Sequence, residues 1–298
     1  MKPPPFDYSA PVSKEEILRG LAGAPAGTRI LAGGQSLVPL LNARQLRPPL
    51  LIDINRAPEL ARITAEGGSL RIGALVRMTQ AEFSPEVRAL CPLISEALRW
   101  VANPQVRNRA TIVGNLVHAG RGSELPAVAL ALDAEFSIES AADGLRRCPA
   151  ADFFRSDGSV DRAPGEFVTE VVFPGQPSGG SAFVEAQRRS AHYALLGAGA
   201  AIALRSGIIR DARLSMAGAA PGPVRCSSAE RRLLGQRPSA GLFSEAASLA
   251  GRDGTALAYD DVHATADYRR SVAPELAARA LFGAARAAGL DIAQPPWS

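Results

Sequence analysis

Two glycine-bearing segments contain the residues of this chain whose types and spacing suit chemistry. The first is Ala32-Gly33-Gly34-Gln35-Ser36, at the end of an apolar run and flanked by Leu31 and Leu37. Consecutive glycines reach backbone conformations closed to other residues, so successive N–H groups can converge on an anion with no Cβ in the way. That suits a phosphate or diphosphate, with Ser36 as a hydroxyl donor and the positive end of the next helix behind it. A Gly-Gly turn also serves simple chain reversal, and the segment is not the GxGxxG of a Rossmann site. The second segment, Ala110-Thr111-Ile112-Val113-Gly114-Asn115, offers a hydroxyl, a glycine and an amide. It is followed by Ala119 and then by Ser123-Glu124 at the start of a predicted helix. A carboxylate such as Glu124 is the acceptor that ribityl or ribose hydroxyls need. Ser123 and Glu124 read equally well as a helix cap with an acid in its first turn. Together the two segments resemble a dinucleotide clamp.

The rest of the composition excludes other chemistries. Of 33 basic Lys and Arg residues, only Lys2 and Lys14 are lysine, so the body of the chain has no P-loop or Schiff-base lysine. His118, His192 and His263 include no i, i+4 pair, which removes zinc hydrolases of the HExxH kind. Cys91, Cys148 and Cys226 are too dispersed for a redox pair or an iron–sulfur cluster and read as buried, reduced thiols. The net charge of +4 is spread over scattered arginines without interleaved aromatics, so no nucleic-acid partner is expected; surface arginine suits subunit contacts instead. The opening residues lack an apolar signal region, and the longest apolar stretch, 194–204, is half what a membrane span needs. A cytoplasmic location without a membrane span is expected.

The elements that must position these segments follow from pattern. Ser13 and Glu16 form a capping box for a helix through Leu21. Strands are predicted over 28–32 and 50–54, with a short helix over 37–41 between them. A hairpin turns around Gly67-Gly68, and a helix over 92–101 stops before Asn103-Pro104. An irregular run then leads to Gly122, a helix over 124–132 and strands over 134–139 and 167–173. The Gly/Pro/Ser stretch 174–181 is the best linker. Beyond it come three strands (182–186, 196–204, 208–217) and helices near 227–235, 240–250 and 265–288, the last either interrupted or restarted at Pro274. Mixed α/β or α+β packing is implied.

Four ordered segments, 31–56, 106–136, 216–230 and 263–281, closely resemble the flavin-binding medium subunit of the molybdenum hydroxylases, the carbon monoxide dehydrogenase and xanthine dehydrogenase type enzymes. The resemblance implies an α+β fold. A two-part FAD-binding domain of the vanillyl-alcohol oxidase/MurB-like type would occupy 1–175, its subdomains meeting near 57–62. A small C-terminal domain, a three-stranded antiparallel sheet with helices, would occupy 181–298. It further implies non-covalent FAD, a small partner subunit with two [2Fe-2S] clusters and a large one with molybdopterin, in a dimer of heterotrimers. Electrons would pass from the clusters to FAD and on to an external acceptor, with no catalytic residue or metal ligand in this chain.

Carried over by position, residues 32–36 would hold the FAD pyrophosphate, bracketed by Leu31 and Leu37. Ala110, Thr111, Gly114, Asn115 and Ala119 would run along the cofactor, and Ser123 and Glu124 would meet the ribityl or ribose hydroxyls. Val168 and Tyr193 would lie against the isoalloxazine ring. Two departures stand out. Val113 replaces the first glycine of the family's usual GTIGGN, putting a branched side chain where backbone would meet cofactor. Ala119-Gly120-Arg121-Gly122 replaces ADPA, introducing a charge. His118 reads as a packing or hydrogen-bonding residue, not a flavin attachment point. The alternatives are a flavin-free scaffold subunit of the same complex, motivated by Val113, and a stand-alone FAD oxidoreductase, for which the chain offers few candidate bases.

Overall fold

The structure is a computed structural model that describes residues 2–189 and 194–293. It opens on a strand the pattern does not signal, β1 (Asp7–Ser9), followed by α1 (Lys14–Ala22), β2 (Arg29–Leu31), α2 (Leu37–Asn42) and β3 (Leu50–Asp53). Ser13 caps α1, its Oγ accepting from Glu16 N at 3.2 Å, while the Glu16 carboxylate accepts from Val12 N at 3.0 Å. The capping box is therefore displaced by one residue at its outer end. The three strands form a parallel sheet ordered β1-β3-β2, with Tyr8 opposite Leu51 and Ile30 opposite Ile52.

After a 3-10 turn at Pro58–Leu60 the chain enters a second sheet. β4 (Ile63–Glu66) and β5 (Ser69–Gly73) form the hairpin, where Gly67 and Gly68 both take positive φ, at 57° and 77°, as a tight two-residue turn demands. Five short helices follow: α3 (Met78–Phe83), α4 (Pro85–Leu90), α5 (Pro92–Leu98), α6 (Pro104–Arg107) and α7 (Ile112–His118). The run expected to be irregular up to Gly122 is thus largely helical. Asn103 and Thr111 cap α6 and α7 through their side chains, accepting from Val106 N (2.9 Å) and Gly114 N (3.0 Å), but neither helix is long enough to display a 3.6-residue period. Next come α8 (Glu124–Ala131), β6 (Glu135–Ser140), β7 (Gly144–Pro149), α9 (Ala150–Phe153) and β8 (Phe167–Pro174). The sheet order is β4-β5-β8-β6-β7, antiparallel at every pair.

The last sheet contains β9 (Gly180–Gln187), β10 (Ala194–Arg205), β11 (Ile208–Ala217) and β12 (Val224–Arg225), ordered β12-β11-β10-β9 and antiparallel. It has four strands, not the expected three, because β12 is a two-residue edge strand with no alternation to betray it. It is covered by α10 (Ser227–Leu233), α11 (Ala240–Gly254) and α12 (Ala266–Ala287). Pro274 lies inside α12, which runs on without restarting; a Cβ on Gly251 would lie 2.5 Å from the Pro274 ring, so α11 and α12 approach closely there. The small residues of β10 serve two faces. Leu196, Ala198, Ala200 and Ile202 join the core beneath the C-terminal helices. Gly197 and Gly199 leave room for the Phe183 ring, which belongs to the core of the first half. Trp100 Nε1 donates to Phe183 O at 2.9 Å, fastening the end of α5 to β9. Arg225 pairs with Asp133 and Glu230, tying the chain after α8 to the second half.

Candidate cofactor-binding site

The structure brings the two glycine segments into contact. Gly33 lies against the backbone just before α7: a Cβ there would be 2.8 Å from the Ala110 Cα and closer still to the Arg109 carbonyl oxygen. Only glycine permits that approach. Gly34 takes a φ of 74°, with Leu31 and Val38 on either side of it. Val38 N donates to Gly34 O at 2.9 Å, closing the turn, and Gln35 Nε2 donates to Gly33 O at 3.3 Å. The N–H groups of Gly33, Gly34, Gln35 and Ser36 have no acceptor among the described residues. Ser36 stands at the start of α2, with its hydroxyl unused for capping. Since α2 has only six residues, the donors are the turn's own amides and hydroxyl.

The second segment is fixed from β5 onward. Met78 N donates to Ala110 O at 2.9 Å and Ile112 N to Val76 O at 3.0 Å. Thr111 is buried and spends its Oγ1 as the cap of α7. Gly114 is exposed on the outer face of that helix, and the neighbouring Asn115 holds a buried Oδ1 with no hydrogen-bond partner among the described residues. Val113 points the other way: it is 3 % exposed and packs in the core with Ile112 and Leu116. Ala119 ends α7 in the left-handed region, at φ 45°.

Ser123 precedes α8 without a side-chain cap bond, its hydroxyl makes no hydrogen bond among the described residues, and Ser123 N donates to Gly120 O at 2.9 Å. Glu124 is 6 % exposed, and no side chain among the described residues donates to it. Burial pushes its carboxyl up to about 7. Sequence reasoning missed its neighbour Glu185 on β9, which burial and then the Glu124 charge push up to about 8. Glu185 Oε2 is buried with no partner among the described residues, while Gln187 Nε2 donates to Oε1 at 2.9 Å. The one signal for Glu185 was an acid inside an otherwise apolar strand.

Val168 lies in β8 opposite Ile138, packed within the core. Leu31 and Leu37 are half-buried beside the first turn. Tyr193 lies outside the described residues. Among the described residues no cluster of His, Cys, Asp and Glu suited to a metal ion occurs, and no helix is long and apolar enough to cross a membrane.

Residues 4–176 match the family model described as the FAD binding domain in molybdopterin dehydrogenase, and residues 181–284 match the CO dehydrogenase flavoprotein C-terminal domain. The chain belongs to this family of FAD-binding dehydrogenase subunits. It is 41% identical to the 6-hydroxypseudooxynicotine dehydrogenase complex subunit alpha of Paenarthrobacter nicotinovorans, over 94% of this chain and 95% of that protein. Among solved structures it resembles carbon monoxide dehydrogenase from Hydrogenophaga pseudoflava lacking the Mo-pyranopterin moiety of the molybdenum cofactor, at a TM-score of 0.91 and 34% identity, covering 97% of this chain and 100% of that one. It also resembles quinoline 2-oxidoreductase from Pseudomonas putida 86, at a TM-score of 0.90 and 34% identity, covering 97% and 99%. Membership of the family makes this FAD-binding chain an oxidoreductase component.

Proposed function

We propose that the chain binds FAD non-covalently across the two glycine segments and serves as the electron-transferring medium subunit of a heterotrimeric molybdenum hydroxylase. The observation that carries this reading is the contact of Gly33 with the 109–110 backbone, which presents four N–H groups without an acceptor among the described residues beside a second segment that holds the unpartnered Asn115 Oδ1. The donor set fits the group. Amides at 33–36 and the Ser36 hydroxyl suit a diphosphate, while Asn115 Oδ1 and Glu124 are buried acceptors that ribityl or ribose hydroxyls would satisfy. In this reading Leu31, Ala32 and Leu37 flank the diphosphate, Ala110, Thr111, Gly114 and Ala119 shape the path, and Ser123 adds a hydroxyl. Tyr193 approaches the flavin ring, while Val168, packed in the core, supports that end of the site from behind without facing the cofactor.

FAD supplies both one-electron and two-electron redox chemistry when bound. The chain's own part is to bind and orient it and to keep water from the buried acceptors. Residues 1–175 act as the FAD domain, of the vanillyl-alcohol oxidase/MurB-like type, in two subdomains that meet near 57–62, and 181–298 as the C-terminal domain. The change from a parallel to an antiparallel sheet across Pro58–Leu60 supports the first division. Electrons would arrive from a [2Fe-2S] subunit beside a molybdopterin subunit, in a cytoplasmic dimer of heterotrimers, and leave to an external acceptor.

The flavin-free scaffold reading rests on Val113, and the burial of that side chain away from exposed Gly114 removes its steric motive. Reconstitution of the purified full chain with FAD tests the proposal: saturable binding followed by flavin absorbance is expected, and a colourless protein that still assembles with its partners would favour the scaffold.

A further inference from the structure

A chain of side-chain hydrogen bonds runs behind the two glycine segments, and neither its residues nor their spacing signal it in the sequence. Asn55, just past β3, donates through Nδ2 to Ala32 O at 2.9 Å and to Asp53 Oδ1 at 2.6 Å. Its Oδ1 accepts from Arg77 Nη2 at 2.5 Å. Arg77 Nη1 in turn donates to Arg109 O at 2.6 Å, the same carbonyl that crowds Gly33. On the far side, Asp53 accepts from Asn55 N at 2.9 Å and from Tyr8 OH at 2.6 Å. The side chains of Asn55 and Arg77 therefore link the carbonyl before the first pair of glycines to the carbonyl before Ala110.

The residue types are dictated by this arrangement. Asn55 uses two donors and one acceptor at once, which aspartate cannot do and which glutamine would do one bond further from the backbone. Arg77 spans two acceptors with its planar fork, which a lysine ammonium at a single point cannot match. Charge points the same way. Among the described residues Arg77 has no direct carboxylate partner; Asp53 is reached only through Asn55, and Arg109 adds a second guanidinium nearby. Arg77, Arg109 and Arg56, which faces Asp53, against that one acid leave a positive excess behind a turn of unpartnered N–H groups, an arrangement that a diphosphate would neutralise.

We infer that Asn55 and Arg77 are positioning residues for the diphosphate of the bound dinucleotide, holding the two glycine segments at the separation that makes the 33–36 amides converge. This rests on the FAD reading above. Neither side chain need touch the cofactor: their action is on the carbonyls of Ala32 and Arg109, whose peptide planes set the aim of the neighbouring N–H groups.

The test is calorimetric titration of the full chain with FAD, with ADP as a diphosphate probe and with riboflavin as a probe lacking phosphate, alongside thermal melts without ligand. Arg77→Met and Asn55→Ala are expected to weaken FAD and ADP by about 10- to 100-fold, the loss of one or two charge-assisted hydrogen bonds' worth of alignment. Riboflavin binding should move by less than about threefold on the same reasoning. Arg77→Lys, which keeps the charge and most of the stem and guards against a failure to fold, should fall between parent and Arg77→Met. A parent that binds FAD while both Arg77 variants bind FAD and ADP as it does would overturn the inference and leave the proposed function intact. An equal loss for riboflavin and FAD, with a lower melting temperature, would reduce the pair to a structural role and overturn it too. A parent that binds no FAD contradicts the proposed function, and this inference falls with it.

Discussion

Gly33 and Ala110, 77 positions apart in the chain, meet backbone to backbone, with a Cβ on Gly33 placed 2.8 Å from the Ala110 Cα. Everything proposed for the site depends on that approach. Gly33→Ala should push the segments apart, costing about 1–3 kcal/mol of stability as overpacking against backbone does, and lowering flavin occupancy. Gly34→Ala meets only the side chains of Leu31 and Val38 but is strained by its positive φ, at about 1–2 kcal/mol. Its effect on flavin occupancy should be the smaller of the two. Denaturant melts and the ratio of flavin to protein absorbance check both.

Val113→Gly restores the family's usual residue, and the structure argues that it harms the protein. Removing a buried side chain from the core and adding a glycine to α7 should cost about 2–4 kcal/mol with no gain in FAD affinity. Tighter flavin binding in this variant, seen by titration, would contradict the placement of Val113.

The buried acids predict a pH dependence. Glu124 and Glu185 titrate near 7 and 8 in the folded chain, above their ordinary value of 4.5. At these two groups the folded state therefore holds more protons than the unfolded state between those limits, so the pair's contribution to stability is present in full below about pH 4.5 and is lost as pH rises to about 8. Glu185→Gln should flatten the upper part of this slope in melting temperatures measured from pH 5 to 9. Glu124→Gln should remove the lower part, shift the upper part to lower pH by taking away the charge that helps raise Glu185, and weaken FAD binding by about tenfold, as expected for exchanging a charged acceptor for a neutral one.

Arg269 is a fully buried cation in the second half, 1 % exposed. It donates to Leu195 O (2.6 Å), Gly218 O (2.7 Å) and Tyr259 O (3.1 Å), pairs with Asp261 at 2.7 Å and lies over the Tyr259 ring at 4.2 Å. It thereby locks α12 to β10 and to the turn after β11. Arg269→Leu leaves Asp261 without its cation and two buried carbonyls unpaired, and should cost about 3–5 kcal/mol in chemical unfolding. Arg269→Lys should recover little, because one ammonium cannot reach the same set of acceptors.

What the sequence disclosed was local. Ser13, Gly67-Gly68 and the Ala32–Ser36 turn signal their structures through side chains and conformations acting within a few residues, and the long C-terminal helices through their periodicity. β1 and β12 were illegible because three and two residues carry no alternation. α6 and α7 were hidden by their length, although their caps stand in plain view at Asn103 and Thr111. Within the site, both glycine segments and Glu124 were legible as chemistry. Asn55, Arg77 and Glu185 were not, since each acquires its role from a partner 22 or more positions away: Arg77 from Asn55, Asn55 from Ala32, and Glu185 from Glu124.

The central claim, that this chain carries FAD between its two glycine segments, is tested most directly by purifying it with its co-expressed partner subunits and measuring flavin released on denaturation. About one FAD per chain in the parent, with a marked loss in Gly33→Ala as expected for a residue whose Cβ has no room, is the predicted result. A complex that assembles in full yet releases no flavin, or a Gly33→Ala complex with parental flavin content, would contradict it.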